Sequence, residues 1–260
     1  MIRLIILPAL LVTGLGVYVL GAPRTENVPL LDGRIVGGED ADIADYSYQL
    51  SLLLLGFHIC GAVAISSTWA LTAAHCVDGA TTLLLSVRAG SSIRNYGGQV
   101  VSVTEARMHP EYNIFIIDYD IATLRLSSEL DTVNTRPIPL PNFGLKPPAG
   151  STAVITGWGT TAEGGNPSRL LQVIRVPVIS QEDCRYAYSH EIITDRMFCA
   201  GLLGIGGQDA CQGDSGGPVV VDGIVVGLVS WGDGCARPER PGVYSSVPAL
   251  RNWILENTGL

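Results

Sequence analysis

The sequence predicts an all-β protein. Short runs rich in Val, Ile, Leu and Thr alternate with clusters of Gly, Pro, Asn and Ser along most of the chain. Helical periodicity is not sustained until the C-terminal end. Hydrophobic residues make up 47% of the 260 residues, so the chain can bury a sizeable core. This spacing of runs and turns is typical of a β-barrel or a β-sandwich.

The elements follow from that pattern. The strand candidates are residues 48–55, 61–65, 99–106, 122–126, 153–158, 170–177, 218–221 and 224–231. Residues 248–257 are predicted to form a helix, because Trp253 and Ile254 can face a core while Arg251 stays in water. Five prolines lie within residues 137–150, which makes this stretch the best candidate for a linker between two halves.

The charge of the chain excludes some partners. The formal net charge is -8 and lysine is nearly absent. Nucleic acids and anionic lipid surfaces bind basic patches, so neither is expected to be a partner of this chain.

The N-terminus has the outline of a secretory signal peptide over residues 1–22. Arg3 precedes an apolar stretch, residues 4–20, which ends in small residues. An uncleaved membrane anchor is the alternative, since the stretch is near the lower length limit for crossing a bilayer. Pro8 interrupts the stretch and favours the signal peptide. The short polar segment 23–34 is interpreted as an activation propeptide.

The six cysteines agree with a secreted chain, because an oxidising compartment lets them pair. The sequence alone does not choose among the possible pairings. Metal ligation is the weaker interpretation, since the chain has no CxxC pair and no clustered histidines. Residues 90–100 also contain no acidic residue that could bind calcium. No metal and no cofactor are therefore expected.

The motif QGDSGGP at residues 212–218 is the most informative feature of the chain. A serine hydroxyl is a poor nucleophile at neutral pH unless a general base lies within hydrogen-bond reach. Gly213 and its glycine neighbours can turn backbone N–H groups toward a developing oxyanion. The motif therefore predicts that Ser215 is a nucleophile.

The general base must come from elsewhere in the chain. The four histidines are His58, His75, His109 and His190. Only His75 lies in the sequence Ala-Ala-His-Cys, where a disulfide at Cys76 would hold the loop still. We predict that His75 accepts the proton of Ser215 and returns it to the leaving group.

Five separated motifs occur in one order along the chain. They are RIVGG at 34–38, AAHC at 73–76, DYDIA at 118–122, GDSGGP at 213–218, and SWG at 230–232 with PGVY at 241–244. In this order they resemble the trypsin-like (chymotrypsin-fold) serine proteases, most of all those of insects. The resemblance covers the chain from residue 35 to the C-terminus.

The resemblance implies a fold and a domain organisation. It implies two six-stranded antiparallel β-barrels with a C-terminal helix and an active site in the cleft between the barrels. The peptidase domain would be residues 35–260, with one barrel at about 35–140 and the other at about 141–260. The disulfides that it implies are Cys60 with Cys76, Cys184 with Cys199, and Cys211 with Cys235.

The resemblance also assigns the remaining catalytic roles. Asp120 would orient His75, as the family's triad aspartate does. Asp118 is two residues away and would lie on the same side of a strand, so alternation does not distinguish the two acids. The family motif selects Asp120, and Asp118 is interpreted as a solvated loop carboxylate. The backbone N–H groups of Gly213 and Ser215 would form the oxyanion hole.

Substrate choice is predicted from Asp209, which matches the floor of the family's specificity pocket. A desolvated carboxylate there implies Arg or Lys before the scissile bond. Gly232 and Gly242 match the walls of a deep slot. Ala210 replaces a serine common in digestive trypsins, and we expect Arg to be preferred because it reaches a carboxylate bidentately. The groups expected to pair with the substrate backbone are Ser230, Trp231 and Gly232.

Activation is predicted to need a cut after Arg34. The cut would create a free amine at Ile35, and Asp214 would be its partner, since a buried carboxylate needs one. The uncut chain would therefore be a zymogen with a poorly ordered pocket.

These features predict a secreted serine endopeptidase that acts in digestion. Its expected partners are protein or peptide substrates, an activating protease and protein inhibitors, and it is expected to be a monomer without stable membrane association. A narrow-specificity processing or defence protease is the alternative. An inactive homologue that only binds proteins fits less well, because His75, Asp120 and Ser215 are all present.

Overall fold

The computed structural model describes residues 35–131, 133–189 and 191–260. The strands are β1 (Glu39–Asp40), β2 (Gln49–Leu54), β3 (Phe57–Ala64), β4 (Trp69–Thr72), β5 (Leu85–Ala89), β6 (Gln99–Met108), β7 (Ala122–Leu126), β8 (Thr152–Gly157), β9 (Gln172–Pro177), β10 (Met197–Ala200), β11 (Pro218–Val221), β12 (Ile224–Trp231) and β13 (Gly242–Ser246). The helices are α1 (Gln181–Ala187) and α2 (Arg251–Thr258). Within this part of the chain, no helix has the length and apolar character needed to span a bilayer.

Three predictions fall outside the described residues. They are the signal peptide at 1–22, the propeptide at 23–34, and the cleavage residue Arg34.

The first half of the chain forms a closed barrel with the strand order β2-β3-β4-β7-β6-β5. Antiparallel pairing of β2 with β5, with Leu50 opposite Ala89, closes it. In β5 the residues alternate between buried and half-buried, as expected for a strand with one face on a core. Leu52, Val87 and Leu124 lie in that core.

The second half forms most of a seven-stranded sheet with the order β1-β9-β8-β11-β12-β13-β10. Six of its strands come from the second half. The seventh, the short β1, comes from the first half and pairs with β9. A single antiparallel bridge between Val178 and Ala200 joins the β9 side to β10. The architecture of two barrel-like sheets and a C-terminal helix confirms the predicted fold class, although the second sheet is less completely closed than the first.

All eight predicted runs overlap strands, and the C-terminal helix begins three residues later than predicted. The structure adds α1, whose seven residues are too few to show a clear helical period. Ser180 caps this helix, because its hydroxyl accepts a hydrogen bond from the backbone N–H of Asp183 at 3.0 Å.

A third hydrophobic cluster lies between the two sheets. Val63 and Ile121 from the first barrel pack there with Leu228 of β12 and Ile254 of α2. The proline-rich connection at 137–150 is fastened to both halves. Ile138 N–H donates to Ala64 at 3.0 Å, and Pro139 accepts from Val225 at 3.2 Å. The connection therefore holds the two halves in one arrangement instead of acting as a loose linker.

Three disulfides join the pairs that the resemblance implied: Cys60–Cys76, Cys184–Cys199 and Cys211–Cys235. They close loops with sequence separations of 16, 15 and 24 residues. In the chain-entropy model, loops of this size contribute about 3 kcal/mol each. Two of the three brace segments that carry site residues, since Cys76 follows His75 and Cys211 lies two residues after Asp209.

Ile254→Ala should lower the free energy of unfolding by about 2–5 kcal/mol, because it leaves a cavity in the cluster between the sheets. Ile254 is fully buried, whereas its neighbour Leu255 is 42% exposed. Leu255→Ala is therefore the matched control and should cost about 0.5 kcal/mol or less. Urea denaturation measures both, and equal losses would mean that α2 does not anchor this cluster.

Candidate active site

His75 lies in a single turn of 3-10 helix, Ala74–Cys76, that follows β4. The Cys60–Cys76 disulfide ties this turn to β3. The Nδ1 atom of His75 is 2.8 Å from Oδ2 of Asp120, and the backbone N–H of His75 donates to Oδ1 of the same carboxylate at 2.9 Å. A carboxylate at Nδ1 favours the tautomer with the proton there, so Nε2 is left as the basic nitrogen.

Asp120 is 1% exposed and immediately precedes Ile121 and β7. A third donor reaches it from the other sheet, because the hydroxyl of Ser230 in β12 donates to Oδ2 at 2.6 Å. Three donors compensate the cost of burying this carboxylate. The sequence predicted that the backbone of Ser230 pairs with substrate and gave no sign of this role for its side chain.

Ser215 lies in the turn before β11, and two backbone hydrogen bonds connect this turn to the segments that hold the His75–Asp120 pair. Its carbonyl accepts from Gly61 at 2.8 Å, and Gly61 directly follows the Cys60 that is bonded to Cys76. The N–H of Gly216 donates to Val229 at 2.7 Å, next to the Ser230 that contacts Asp120. Ser215 is thus tied to both sides of the His75–Asp120 pair.

In two peptide groups of the serine motif, the carbonyl oxygen accepts a backbone hydrogen bond. Gln212 C=O accepts from Thr160 at 2.7 Å, and Asp214 C=O accepts from Gly217 at 2.9 Å. In a trans peptide the N–H points away from the carbonyl. The N–H groups of Gly213 and Ser215 are therefore oriented by these bonds.

Gly213 has a φ of 97°, a region that favours glycine. Its own carbonyl lies 2.9 Å from Nε2 of His58, which must donate because the carbonyl can only accept. Nδ1 of His58 then accepts from Ser51 at 2.7 Å. Burial lowers the pKa of His58 to about 4, so the ring is neutral at physiological pH. No local motif marks His58 for this contact, because its partner lies 155 residues away in the sequence.

A cavity of about 200 Å³ opens beside Ser215. The site residues that the sequence predicted for substrate binding all line it: Asp209, Ala210, Ser230, Trp231, Gly232 and Gly242. Gly242 must be small, because a Cβ atom there would lie 2.6 Å from Oδ1 of Asp209 and 2.5 Å from the hydroxyl of Tyr244.

Asp209 is 3% exposed, and its carboxylate is only half satisfied. Oδ2 accepts from the backbone N–H of Ala236 at 3.0 Å, whereas Oδ1 faces the Tyr244 hydroxyl and has no partner of good hydrogen-bond geometry within the described residues. Burial raises the pKa of Asp209 to about 7, and hydrogen bonds from backbone N–H groups and from the Tyr244 hydroxyl offset only part of that effect. The carboxylate is therefore suited to a donor that enters the cavity.

Asp214 is fully buried beneath the serine motif. It accepts from the N–H of Gly159 at 2.8 Å and from the N–H of Cys211 at 2.9 Å. Both partners are neutral, and burial raises its pKa to about 7. Ile35 is also fully buried and packs in the core of the second sheet. The carbonyl of Val36 accepts from Asp209 at 3.3 Å, so the predicted activation segment runs beside the cavity.

Asp118 corrects one expectation. It was interpreted as a solvated loop carboxylate, yet it is 4% exposed and forms an ion pair with Arg196 of the other half, with a shortest distance of 2.5 Å. The loop was predicted correctly, since residues 109–121 form turns between β6 and β7, but solvation was wrong because the Arg196 guanidinium covers and compensates this carboxylate.

In the described part of the chain, one group of potential metal ligands has its ligand atoms within 4.8 Å of one another: Cys60, His75 and Cys76. Its two sulfurs are already joined in a disulfide, so they cannot act as thiolate ligands.

Two barrel-like sheets with a Ser, His and Asp at their junction define the class of the serine proteases with this fold. The family model described as Trypsin matches residues 35–254. A trypsin of Phaedon cochleariae is 45% identical over 244 residues, which is 93% of this chain and 94% of that protein. Trypsin delta of Drosophila erecta is 44% identical over 88% of this chain and 90% of its own. The vitellin-degrading protease of Bombyx mori is 43% identical over 91% and 90%.

The chain therefore belongs to the trypsin family and is a serine endopeptidase. Its substrates are proteins or peptides.

The raised pKa of Asp209 leads to a pH-dependent affinity for cations. Benzamidinium should bind the ionised carboxylate of Asp209. The affinity of the enzyme for benzamidinium should therefore be greatest above pH about 7 and fall as the pH drops through that value. The limiting slope is about tenfold per pH unit, since one proton is released on binding. Isothermal titration calorimetry across this range measures it. Asp209→Asn should bind weakly at every pH, and a pH dependence that persists in this variant would assign it to Asp214 instead.

Proposed function

We propose that this enzyme cleaves peptide bonds through an acyl-enzyme, with Ser215 as nucleophile, His75 as base and Asp120 as orienting acid. The observation that carries the proposal is the 2.8 Å contact between His75 and Asp120 at the junction to which Ser215 is tied. Ser215 Oγ attacks the carbonyl carbon while His75 Nε2 takes its proton. His75 then protonates the leaving amine, and water releases the acyl group by the same steps in reverse.

The oxyanion hole is proposed to be the N–H groups of Gly213 and Ser215. Their peptide carbonyls are held by Thr160 and Gly217, which supports a preset direction for both donors. Preset donors stabilise the charge that develops on the substrate oxygen without reorganising during the reaction.

Asp209 is proposed to select Arg or Lys as the residue before the scissile bond. The Asp209 carboxylate lines the cavity and has one oxygen without a hydrogen bond of good geometry, which supports this, since a neutral guest would leave that buried oxygen without a cationic donor. Ala210 offers a methyl group where a serine would offer a hydroxyl to an ammonium group. Arg is therefore the preferred guest, because its planar guanidinium reaches the carboxylate with two N–H groups.

The chain is proposed to be a zymogen that a cut after Arg34 activates. The new ammonium group at Ile35 would pair with Asp214, whose two present donors are neutral and whose burial disfavours its charge. Because Asp214 lies between Gly213 and Ser215, this pair would set the oxyanion hole and the pocket together.

The biological setting is proposed from the N-terminus and the relatives. A signal peptide at 1–22, a propeptide at 23–34 and a protease domain at 35–260 would make the enzyme secreted, and its disulfides agree with export. We propose a monomer that acts in digestion, with an activating protease and protein inhibitors as partners. A narrow processing or defence role is the second candidate, and the name of the vitellin-degrading relative is an example of narrower use.

After activation, a fluorophosphonate should label Ser215 rapidly, and mass spectrometry of the labelled peptide identifies the residue. Asp120→Asn should lower kcat by about 10⁴-fold, the effect that loss of the orienting acid has in a Ser-His-Asp triad. Ser215→Ala is the control that must not label. Near-normal turnover of the Asp120→Asn variant would reject the proposed triad.

Cleavage of a diverse peptide library should occur after Arg and, less efficiently, after Lys. Paired fluorogenic substrates that differ only in this residue then give the ratio of kcat/KM. Ala210→Ser should shift the ratio toward Lys, because its hydroxyl adds a partner for the ammonium group. Equal efficiencies in the unsubstituted enzyme would contradict the Arg preference, and cleavage of few sequences would favour the narrow-specificity role.

Arg34→Gln should leave the chain uncut and at least about 10²-fold less active, the usual cost of losing one oxyanion donor. Arg34→Lys keeps a basic residue at the cut and serves as the control that should still be activated. N-terminal sequencing checks processing, and a peptide substrate checks activity. Full activity of the uncut Arg34→Gln variant would refute the zymogen mechanism.

A further inference from the structure

The segment that carries Asp120 is fastened to the other half of the molecule two residues earlier. Oδ1 of Asp118 accepts from Nε of Arg196 at 3.0 Å, and Oδ2 accepts from Nη2 at 2.5 Å. The hydroxyl of Thr194 also donates to Oδ1, at 2.9 Å. Arg196 and Thr194 belong to the loop between α1 and β10, so this bidentate contact joins the two halves. We call the pair Asp118 and Arg196 the inter-barrel clamp.

The backbone on both sides of Asp118 adopts a conformation that side chains disfavour. Ile117 has a φ of 52° and Tyr119 a φ of 54°, both in the left-handed region. For a β-branched residue such as Ile117 this is rare. Such a backbone persists where surrounding contacts over-determine it, and it often does so at functional sites.

The contacts of Tyr119 add to the clamp. The guanidinium carbon of Arg196 lies 4.3 Å from the centre of the Tyr119 ring. His109 stacks on the same ring with centres 4.4 Å apart, and His109 in turn contacts Trp253 of α2 at 5.0 Å. Arg196 therefore holds the segment twice, by its charge at Asp118 and by its flat face at Tyr119.

Asp120 directly follows this segment, and both of its oxygens are committed to His75. A shift of the segment would move the carboxylate that fixes the tautomer and direction of the imidazole. We propose that Asp118 and Arg196 are positioning residues for catalysis. Through its contact with Asp118, Arg196 of the second half fixes the segment that places Asp120 against His75. This inference rests on the proposed role of Asp120 as the orienting acid.

The chemistry of the clamp requires arginine. Lysine at position 196 would keep the positive charge but offer a point contact instead of a fork, and it would lack a planar face for Tyr119. Arg196→Lys should therefore be intermediate between the unsubstituted enzyme and Arg196→Ala.

The experiment compares kcat and KM of activated variants on a peptide that the unsubstituted enzyme cleaves. Arg196→Ala and Asp118→Asn should lower kcat by about 10- to 100-fold, the range expected for a misplaced catalytic group. KM should change less than about twofold, because the clamp does not touch substrate. Their double variant should lose little more than either single one, since the two residues act as a pair. Thermal unfolding of each variant reports whether it is folded. If Arg196→Ala does not fold, Arg196→Lys takes its place in the kinetic comparison.

Asp195→Asn is the matched control. Asp195 precedes Arg196 and also forms ion pairs, with Arg185 at 3.1 Å and Lys146 at 3.4 Å, but it is exposed, and these described ion pairs do not involve residues 117–119. This variant loses the same charge as Asp118→Asn and should keep full kcat.

Chemical rescue of kcat provides a measurement that distinguishes a positioning role from a merely structural one. The side chain of Arg196 is 30% exposed, so a small cation can reach its place. Guanidinium ion at concentrations too low to unfold the protein should restore part of the kcat of Arg196→Ala and should not affect Asp195→Asn.

Unchanged kcat in folded Arg196→Ala and Asp118→Asn variants would overturn the inference. So would an equal loss in Asp195→Asn, or a lost kcat that guanidinium does not restore. Asp120→Asn in the same series separates this from the proposed function. An active Asp120→Asn variant rejects the triad, whereas an inactive one beside fully active clamp variants rejects the clamp alone.

Discussion

The buried carboxylate of Asp120 is the contact on which the site depends. It receives two hydrogen bonds from His75 in the first barrel and one from Ser230 in the second sheet. A buried anion with three good donors is held strongly, and it loses much of its stabilisation if either half moves away. The catalytic geometry and the arrangement of the two halves are therefore maintained by the same hydrogen bonds, with the hydrophobic cluster around Ile121 and Leu228 behind them.

Among residues 35–131, 133–189 and 191–260, two further carboxylates are buried without a cationic partner in hydrogen-bond contact, and both belong to the second half. In the part of the chain that the structure describes, Asp209 keeps one oxygen at the cavity without a well-formed hydrogen bond, while Asp214 accepts from two neutral backbone donors beneath the serine motif. Burial raises the pKa of each to about 7. Folding the chain around such groups costs stability at neutral pH, and that cost is recovered when a cation arrives. For Asp209 the cation would come with the substrate, and for Asp214 with the new N-terminus.

Asp118 and Asp120 show where the rule of side-chain alternation along a strand fails. Alternation along a strand would place both side chains on one side. The left-handed conformations of Ile117 and Tyr119 break that alternation, so Asp120 contacts His75 and Asp118 contacts Arg196. The motif pointed to Asp120 through the family resemblance, and Asp120 is the carboxylate that contacts His75. The burial of Asp118 was not predictable, because the arginine that compensates its charge lies 78 residues away.

By itself the sequence determined the all-β class, the eight predicted strands and the identity of the residues that gather at the site. These features depend on local composition, on side-chain alternation and on short motifs, which are readable along the chain. Tertiary structure alone decided that Ser230 donates to Asp120, that His58 holds the carbonyl of Gly213, and that Arg196 clamps Asp118. These contacts join residues separated by 110, 155 and 78 positions. The energy of such a contact depends on burial and on partner geometry, and both exist only once the two halves of the chain have packed together.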